Sequence, residues 1–379
     1  MDFRDTPEQA AFRRDAIRWL EATLPKAPSL GAGTQEERER RNIWWQEALA
    51  DGRYAGITWP EEYGGRGLPG EFQAIFDEEA GRRHAPAPVN VLGMILAGPT
   101  ILTHGSDEQK KRFLPKILTG EEIWCQGFSE PGAGSDLAAV RTSARRESGR
   151  WVVNGQKVWT SFAHLAQRCM LLTRTDRDST RQAGLTYLCA PMDDAEVRPL
   201  VMINEDRDFN EVFFSDVYVD DEDRLGDEGD GWRVAMTTLA FERMSIPATM
   251  RVDAELALTR LVESVRASGR QDDPYVLERL GAFACEVDAL RVDGQRLLAQ
   301  ADIGPEGSLM KLTWAHVVQD ITRFALDLGG RAHVLDDDAD ARYWTRAYLR
   351  ARGNSVEGGT DQIQRSIIAE RILGLPRSR

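Results

Sequence analysis

WVVNGQKVWTS, residues 151–161, is where the periodicity of the chain changes. Asn154-Gly155 sits between flanks rich in valine, tryptophan and threonine, the strongest short hairpin signal in the sequence, so two strands are expected to meet there at a tight turn. Runs of the same character follow: CMLLTRT (169–175), LTYLCAPM (185–192) and EVFFSDVYV (211–219), the last alternating. No crossover helix separates them, which points to an antiparallel sheet or barrel. Outward from this block the pattern becomes helical. PEQAAFRRDAIRWLEATL (7–24) is amphipathic, with Thr6 as a hydroxyl cap and Pro7 at the first helical position. DEQKKRFLPKIL (107–118) repeats the pattern, with Asp107 or Ser106 as cap. Long helical patterns return from Asp230 and run nearly to the end. The fold class is therefore α+β: a helical domain over 1–122, a β domain over 123–228 and a helical domain over 229–379.

Composition narrows the functions available. With 48 basic against 61 acidic residues and a net charge of −13, neither nucleic acid nor an anionic membrane is the expected partner. An anionic small ligand needs only a local basic patch and stays open. The start, MDFRDTPEQA, lacks the basic-then-apolar order of a signal peptide. The longest apolar stretch, VNVLGMILAG (89–98), is far short of the roughly 20 residues of a spanning helix. Cys125, Cys169, Cys189 and Cys285 show no C-x-x-C spacing, and the histidines at 84, 104, 164, 316 and 333 are dispersed. A metal site and a disulfide framework are both disfavoured, and a reducing cytoplasm is the expected location.

Two stretches carry chemistry. In QGFSEPGAGSD (126–136), Pro131 and the glycines bend the chain so that backbone N–H groups can converge on a phosphate or a ring edge, with Ser129 and Ser135 adding hydroxyls. A plain turn is the other reading. In NGQKVWTS (154–161), Trp159 and Ser161 share a strand face and could wall a planar heterocycle, although a strand tryptophan also packs in a core. A G-x-G-x-x-G fingerprint and its βαβ context are missing.

Taken together with WPEEYGGRG (59–67), GSDEQKKRFLPKILTGEE (105–122), FNEVFFSDVYV (209–219), GDGWRVAMTTLAFER (229–243) and the C-terminal SVEGGTDQIQR (355–365), these stretches occur in the order found in acyl-CoA dehydrogenases, and the chain resembles that family along nearly its whole length. The resemblance implies the acyl-CoA dehydrogenase fold: an N-terminal all-α domain, a middle β-barrel and a C-terminal four-helix bundle. It implies FAD, shared across a subunit interface. Gln126, Gly127, Phe128, Ser129, Gly134 and Ser135 would line the flavin and pyrophosphate, and Trp159, Thr160 and Ser161 would lie against the isoalloxazine. Thr360, Asp361 and Gln362 would contact FAD of the assembled dimer, while Ser135, Arg243 and Gly358 would touch the acyl-CoA. The implied reaction removes a Cα proton from an acyl thioester as the Cβ hydrogen leaves as hydride to flavin N5, giving the trans-2-enoyl-CoA. The oxyanion donors would be the flavin ribityl 2′-hydroxyl and the Gly358 N–H.

The base needs separate treatment. Family members most often carry it immediately before the Gly-Thr of the C-terminal segment, which here is Gly358. Glu357 lies one residue earlier, and a one-residue slip turns a side chain elsewhere, so Glu357 reads as a solvated loop carboxylate. The isovaleryl and long-chain branches place a glutamate before an arginine on the first long C-terminal helix, and this chain has LAFERMSIP (239–247) there. Ala235, Leu239, Glu242 and Ile246 fall on one helical face. Glu242 thus projects from an apolar stripe, where a charge is costly unless paired or functional, and is the expected base. Burial there would raise its basicity. Pro247 is expected to kink or end that helix.

Two family features depart. RASGRQDDP (266–274) replaces the arginine segment that reaches the partner's FAD, and Leu326 stands where a glutamine precedes Gly329-Gly330. That combination resembles a bacterial subgroup with α2β2 assemblies, so either a homotetramer or a heterotetramer with a related subunit is implied. By the same resemblance, the acceptor is an electron-transfer flavoprotein and the acyl group is bulky or branched, a fatty or steroid side chain among them. The alternatives are a flavin monooxygenase or oxidase on the same fold and a catalytically silent subunit. The arginines 141, 145, 146 and 150 could meet CoA phosphates or form a solvated cluster.

Overall fold

The computed structural model describes residues 4–30, 34–179, 181–298, 304–335 and 339–376, without the side chains of 244–249, 332 and 334. The chain forms two compact units, one from Met1–Arg14, Ala74–Ala85 and Arg243–Arg379 and the other from Asp15–Gln73 and Pro86–Glu242.

The early helices start where local chemistry tells them to. Helix α1 (Pro7–Thr23) opens on a reciprocal pair, Gln9 N–H donating to Thr6 Oγ1 at 3.2 Å and Thr6 N–H to Gln9 Oε1 at 2.9 Å. Thr34 and Glu37 do the same for α2 (Gln35–Asp51). Helices α3 (Gly70–Arg82) and α4 (Gly98–His104) follow. For α5 (Asp107–Thr119) the cap is Ser106, paired with Gln109, rather than Asp107, and Gly120 at φ +78° ends it. Buried Asn90 binds α5 to the sheet. Its Nδ2 donates to Ile117 O and Glu122 O, and its Oδ1 accepts from Trp124 N–H.

The sheet comprises β1 (Trp124–Gly127), β2 (Ser143–Glu147), β3 (Arg150–Ser161), β4 (Arg168–Arg174), β5 (Leu185–Pro191), β6 (Glu196–Leu200), β7 (Phe209–Asp220) and β8 (Arg224–Leu225). Its order is β6-β7-β3-β2-β4-β5-β8, with β1 beside β4. Pairing is antiparallel except for β1 on β4 and a single parallel contact of β2 with β4. Trp151, Val153, Leu171, Leu188, Val212 and Phe214 lie in its core.

The hairpin expected at Asn154-Gly155 is corrected: β3 runs straight through it. The turn between β2 and β3 is Ser148-Gly149, at φ +51° and +85°, the two left-handed residues that a two-residue hairpin loop requires. Asn154 instead faces a bulge in β7. It donates to Asp216 Oδ1 (2.9 Å) and accepts from Asp216 N–H (3.1 Å), and Asp216 sits at φ +52°. The inserted residue flips the parity of β7, so Asn210, Val212 and Phe214 point inward before it and Val217 and Val219 after it. A Cβ on Gly155 would lie 2.5 Å from Thr142 Oγ1, so close approach to β2, not a turn, requires that glycine.

The second unit contains α7 (Pro274–Leu298), α8 (Gly307–Leu335), α9 (Ala339–Ala351) and α10 (Asp361–Ile367), preceded by α6 (Gly231–Ala267), which begins in the sheet unit. Of the kink or ending expected at Pro247, the ending is not found: α6 continues through it, because a proline removes one donor and the ladder resumes on either side. Leu261, Phe283, Trp314, Ile321 and Trp344 build the core. Among the described residues, no helix is long and apolar enough to cross a membrane.

An ion-pair knot holds the three chain segments of this unit together. Glu79, almost wholly buried, accepts from Arg13 (2.7 Å), Arg82 (3.3 Å) and Arg83 (2.7 Å); Arg13 also binds Asp5, and Arg251 lies 3.7 Å from Glu78. Burial pushes the Glu79 carboxyl up, but the hydrogen bonds from Arg13 and Arg83 outweigh it and hold it below its ordinary value. The resulting stability is present above the unfolded glutamate's value and lost as the pH falls through the lower folded one. Glu79→Gln is expected to destabilise the protein by about 1–2 kcal/mol at neutral pH, less than a fully desolvated pair because the arginines keep some solvent. Paired urea melts should show the difference shrinking towards acid pH.

Candidate active site

In the sheet unit, β1 delivers the chain to the loop 128–142. Gly127 lets β1 lie close on β4, since a Cβ there would sit 2.6 Å from Cys169 Sγ. The loop then turns back on itself, with Glu130 and Ala133 exchanging backbone hydrogen bonds at 2.9 and 3.0 Å around Pro131-Gly132. Neither Gly132 nor Gly134 adopts a positive φ, and a Cβ on either would meet nothing within 4 Å. Nothing in the chain itself requires these glycines. They leave open room for a ligand to approach the backbone, where Ser135 is also exposed.

Across from the loop, β3 ends in a second bulge, Val158 and Trp159 opposing Glu211 of β7. Trp159 sits at φ +58°, a strained conformation for a bulky residue, and is 60% exposed, with Phe209 in edge-to-face contact beside it. Thr160 next to it is buried, yet its Oγ1 has no partner among the described residues; the same holds for Gln126 Nε2. Ser161 is half-buried. Glycine-lined space, an outward indole and two orphaned polar atoms fit a flat, polar-edged cofactor.

Sequence reading missed what holds this platform. Lys157, wholly buried, donates to Phe128 O (3.0 Å) and Glu130 Oε1 (2.9 Å), and Glu130 also accepts from the N–H groups of Arg141 and Thr142. Burial pulls the Lys157 amine below its ordinary value and Glu130 opposes that. For the Glu130 carboxyl, burial is outweighed by Lys157, and the net displacement is downward. The one available signal was a lysine amid inward-facing strand residues.

Glu242 is half-buried on α6, one turn beyond Thr238. Of its expected stripe, Ala235 is buried, Leu239 is half-buried and Ile246 lies outside the described side chains. Thr238 bonds Thr100 Oγ1 (3.0 Å) and Tyr187 OH (3.3 Å), and Phe128 of the loop packs edge-to-face on Tyr187. The glutamate's helix turn thus reaches Tyr187 through buried hydroxyls, and the loop reaches the same residue through a ring contact.

Gly358, Thr360, Asp361, Gln362 and Arg243 belong to the other unit. Gly358 and Gly359 sit at φ +61° and +93°, the reason this pair is glycine. Thr360 caps α10, and Gln364 Nε2 holds Gly358 O at 2.7 Å. Asp361 accepts from His316 Nε2 at 2.7 Å on one oxygen, while the other is buried without a partner among the described residues. Gln362 is exposed and Arg243 half-buried. Glu357 keeps partial solvent contact and is also gripped by Arg350, seven residues earlier, with two hydrogen bonds, 3.1 and 2.8 Å. Kinked at Gly330, α8 bounds an open cleft of about 820 Å³ lined by Leu326, Asp327, Arg323, Arg331 and Tyr348 among others. Of the surface arginines, Arg145, Arg146 and Arg150 are engaged by Glu147, Asp221 with Glu228, and Asp220.

Comparison with known proteins identifies the family. Three family models match in series: acyl-CoA dehydrogenase N-terminal domain over 6–121, middle domain over 125–217 and C-terminal domain over 229–373. The acyl-CoA dehydrogenases IpdE1 of Mycobacterium tuberculosis (strain ATCC 25618 / H37Rv) and of Mycolicibacterium smegmatis (strain ATCC 700084 / mc(2)155) are each 42% identical, the first over 92% of this chain and 91% of its own, the second over 98% of both. Among solved structures, the ChsE4-ChsE5 complex from M. tuberculosis superposes with a TM-score of 0.84 at 29% identity over the full length of both chains. The Tcur3481-Tcur3483 steroid ACAD reaches 0.86 at 24% identity, also over the full length of both, which speaks to the fold alone. With the family's three domains matched in order and such identity along nearly the whole length, this chain is an acyl-CoA dehydrogenase, an oxidoreductase of the acyl-CoA dehydrogenase family.

Proposed function

We propose that this dehydrogenase binds FAD and uses Glu242 as the base that takes the Cα proton of an acyl-CoA thioester. The observation that carries the cofactor is Trp159, held outward at a strained bulge beside orphaned Thr160 Oγ1 and Gln126 Nε2. Gln126, Gly127, Phe128, Ser129, Gly134, Ser135, Trp159, Thr160 and Ser161 would hold the flavin and pyrophosphate; Thr360, Asp361 and Gln362 would meet FAD of an assembled dimer. When bound, FAD supplies the hydride acceptor. The protein's part is proton transfer and orientation. Glu242 abstracts the proton, the Gly358 N–H stabilises the thioester oxygen as charge builds there, and Ser135 and Arg243 position the acyl-CoA. Glu357 is occupied by Arg350, which supports a base elsewhere.

A base on the helix rather than in the tail reshapes the pocket and suits bulky or branched acyl groups. A heteromeric assembly with a related subunit is part of the proposal. It is supported by Leu326 in place of glutamine beside the α8 cleft and by a relative solved as the ChsE4-ChsE5 complex. An electron-transfer flavoprotein is the proposed acceptor.

The test is anaerobic. The purified chain, alone and with a co-expressed related subunit, is mixed with a panel of straight, branched and ring-bearing acyl-CoAs. Bleaching of the flavin band with formation of the 2-enoyl-CoA supports the reading. A colourless protein that takes up no FAD, or a stable oxygen adduct after reduction, refutes it.

A further inference from the structure

The loop 128–142 is held from beneath by one buried ion pair. Lys157 Nζ reaches Phe128 O at 3.0 Å and Glu130 Oε1 at 2.9 Å. The Glu130 carboxylate also collects the N–H groups of Arg141 (2.7 Å) and Thr142 (2.8 Å), so it joins the two legs of the loop to each other. Val158 N–H, next along β3, binds Ser129 O at 2.9 Å. At the far end, Arg174 donates to Val140 O and Ala138 O.

Stability alone is a poor reason for such a pair. Two charges lose their water on burial, and an apolar pair of similar volume often serves the fold as well. Geometry offers a better one. The peptide between Phe128 and Ser129 is trans and planar, so its C=O and N–H point in opposite directions. By drawing the Phe128 carbonyl inward, Lys157 turns the Ser129 N–H the opposite way, away from the buried pair. Among the described residues that N–H has no acceptor.

We propose that Lys157 and Glu130 are positioning residues that aim the Ser129 N–H and the open glycine turn at the cofactor's ring edge. This rests on the FAD reading above. Neither residue touches the ligand; they act through the loop.

The test uses Lys157→Met, which keeps the volume but removes the donor, and the double variant Glu130→Gln/Lys157→Met, in which no charge is left isolated. Three quantities are read: the FAD dissociation constant of the apo-protein, the visible band of bound flavin, and the apo-protein's thermal midpoint. Expected for the double variant are a thermal midpoint near that of the parent, an FAD dissociation constant raised about tenfold or more, and a visible band displaced towards that of free flavin. Lys157→Met should show the same loss of affinity; where it does not fold, the double variant carries the measurement. Affinity within twofold of the parent and an unchanged band overturn the proposal, as does a double variant that fails to fold, since the pair would then be serving stability. A parent protein that binds no FAD sinks the cofactor reading and this one with it, whereas FAD binding equal in parent and variants sinks only the positioning role.

Discussion

Glu242→Gln is expected to hold FAD as the parent does and to leave the flavin oxidised under an acyl-CoA that bleaches the parent. The amide keeps the size and polarity of the side chain but cannot accept the Cα proton. General-base assistance is typically worth 10²–10⁴-fold, and a thioester Cα–H is a weak enough acid to place this enzyme towards the upper end, so the reductive rate should fall about 10³-fold or more. Glu357→Gln supplies the contrast. That carboxylate is spent on Arg350, both partners keep solvent contact, and its loss should alter the rate less than about threefold. Stopped-flow reduction of both variants decides the matter. If Glu357→Gln reduces nearly as the parent does, the assignment stands; if Glu242→Gln does so, the base has been misplaced.

Trp159→Gly should split two properties that usually fall together. At φ +58° the indole residue sits where glycine is comfortable, so the substitution relieves backbone strain and should leave the apo-protein's thermal midpoint unchanged or raised. The side chain is 60% exposed and contributes little to the core. Against a flat ring, however, stacking on an aromatic face is worth about 1–3 kcal/mol, so the FAD dissociation constant should rise roughly 10–100-fold. Calorimetry of the apo-protein and flavin titration give the two halves. A drop in thermal midpoint with unchanged affinity would mean that Trp159 is a packing residue after all.

What was legible in the sequence was local. Thr6, Thr34 and Ser106 begin helices because a hydroxyl and an amide or carboxylate three residues on satisfy the first free N–H groups, and that depends on no distant residue. The strands showed in their β-branched and aromatic runs. The Asn154-Gly155 turn failed because the same dipeptide also suits a site opposite a bulge, and only the register with β7 distinguishes them. Trp159 stood out beside the hairpin motif, but its outward orientation comes from a second bulge that no alternation pattern records. Lys157 and Glu130 lie 27 residues apart, and nothing local marks either as half of a pair. The proposal of Glu242 as base draws on the family resemblance, since helical spacing shows a charge in an apolar stripe but not what the charge is for.

The knot around Glu79 bears on how the protein is made. Its acids and arginines come from the first turns of the chain, from α3 and from α6, so the fragments it joins leave the ribosome far apart in time. Until α6 is synthesised, the early segments carry a buried-type carboxylate and its arginines with no scaffold to close on. Sheet assembly can proceed meanwhile, because its strands are contiguous in the chain. The helical unit is therefore the last to mature, and translation stalled before α6 should yield a nascent chain with a protease-resistant sheet and a protease-sensitive start.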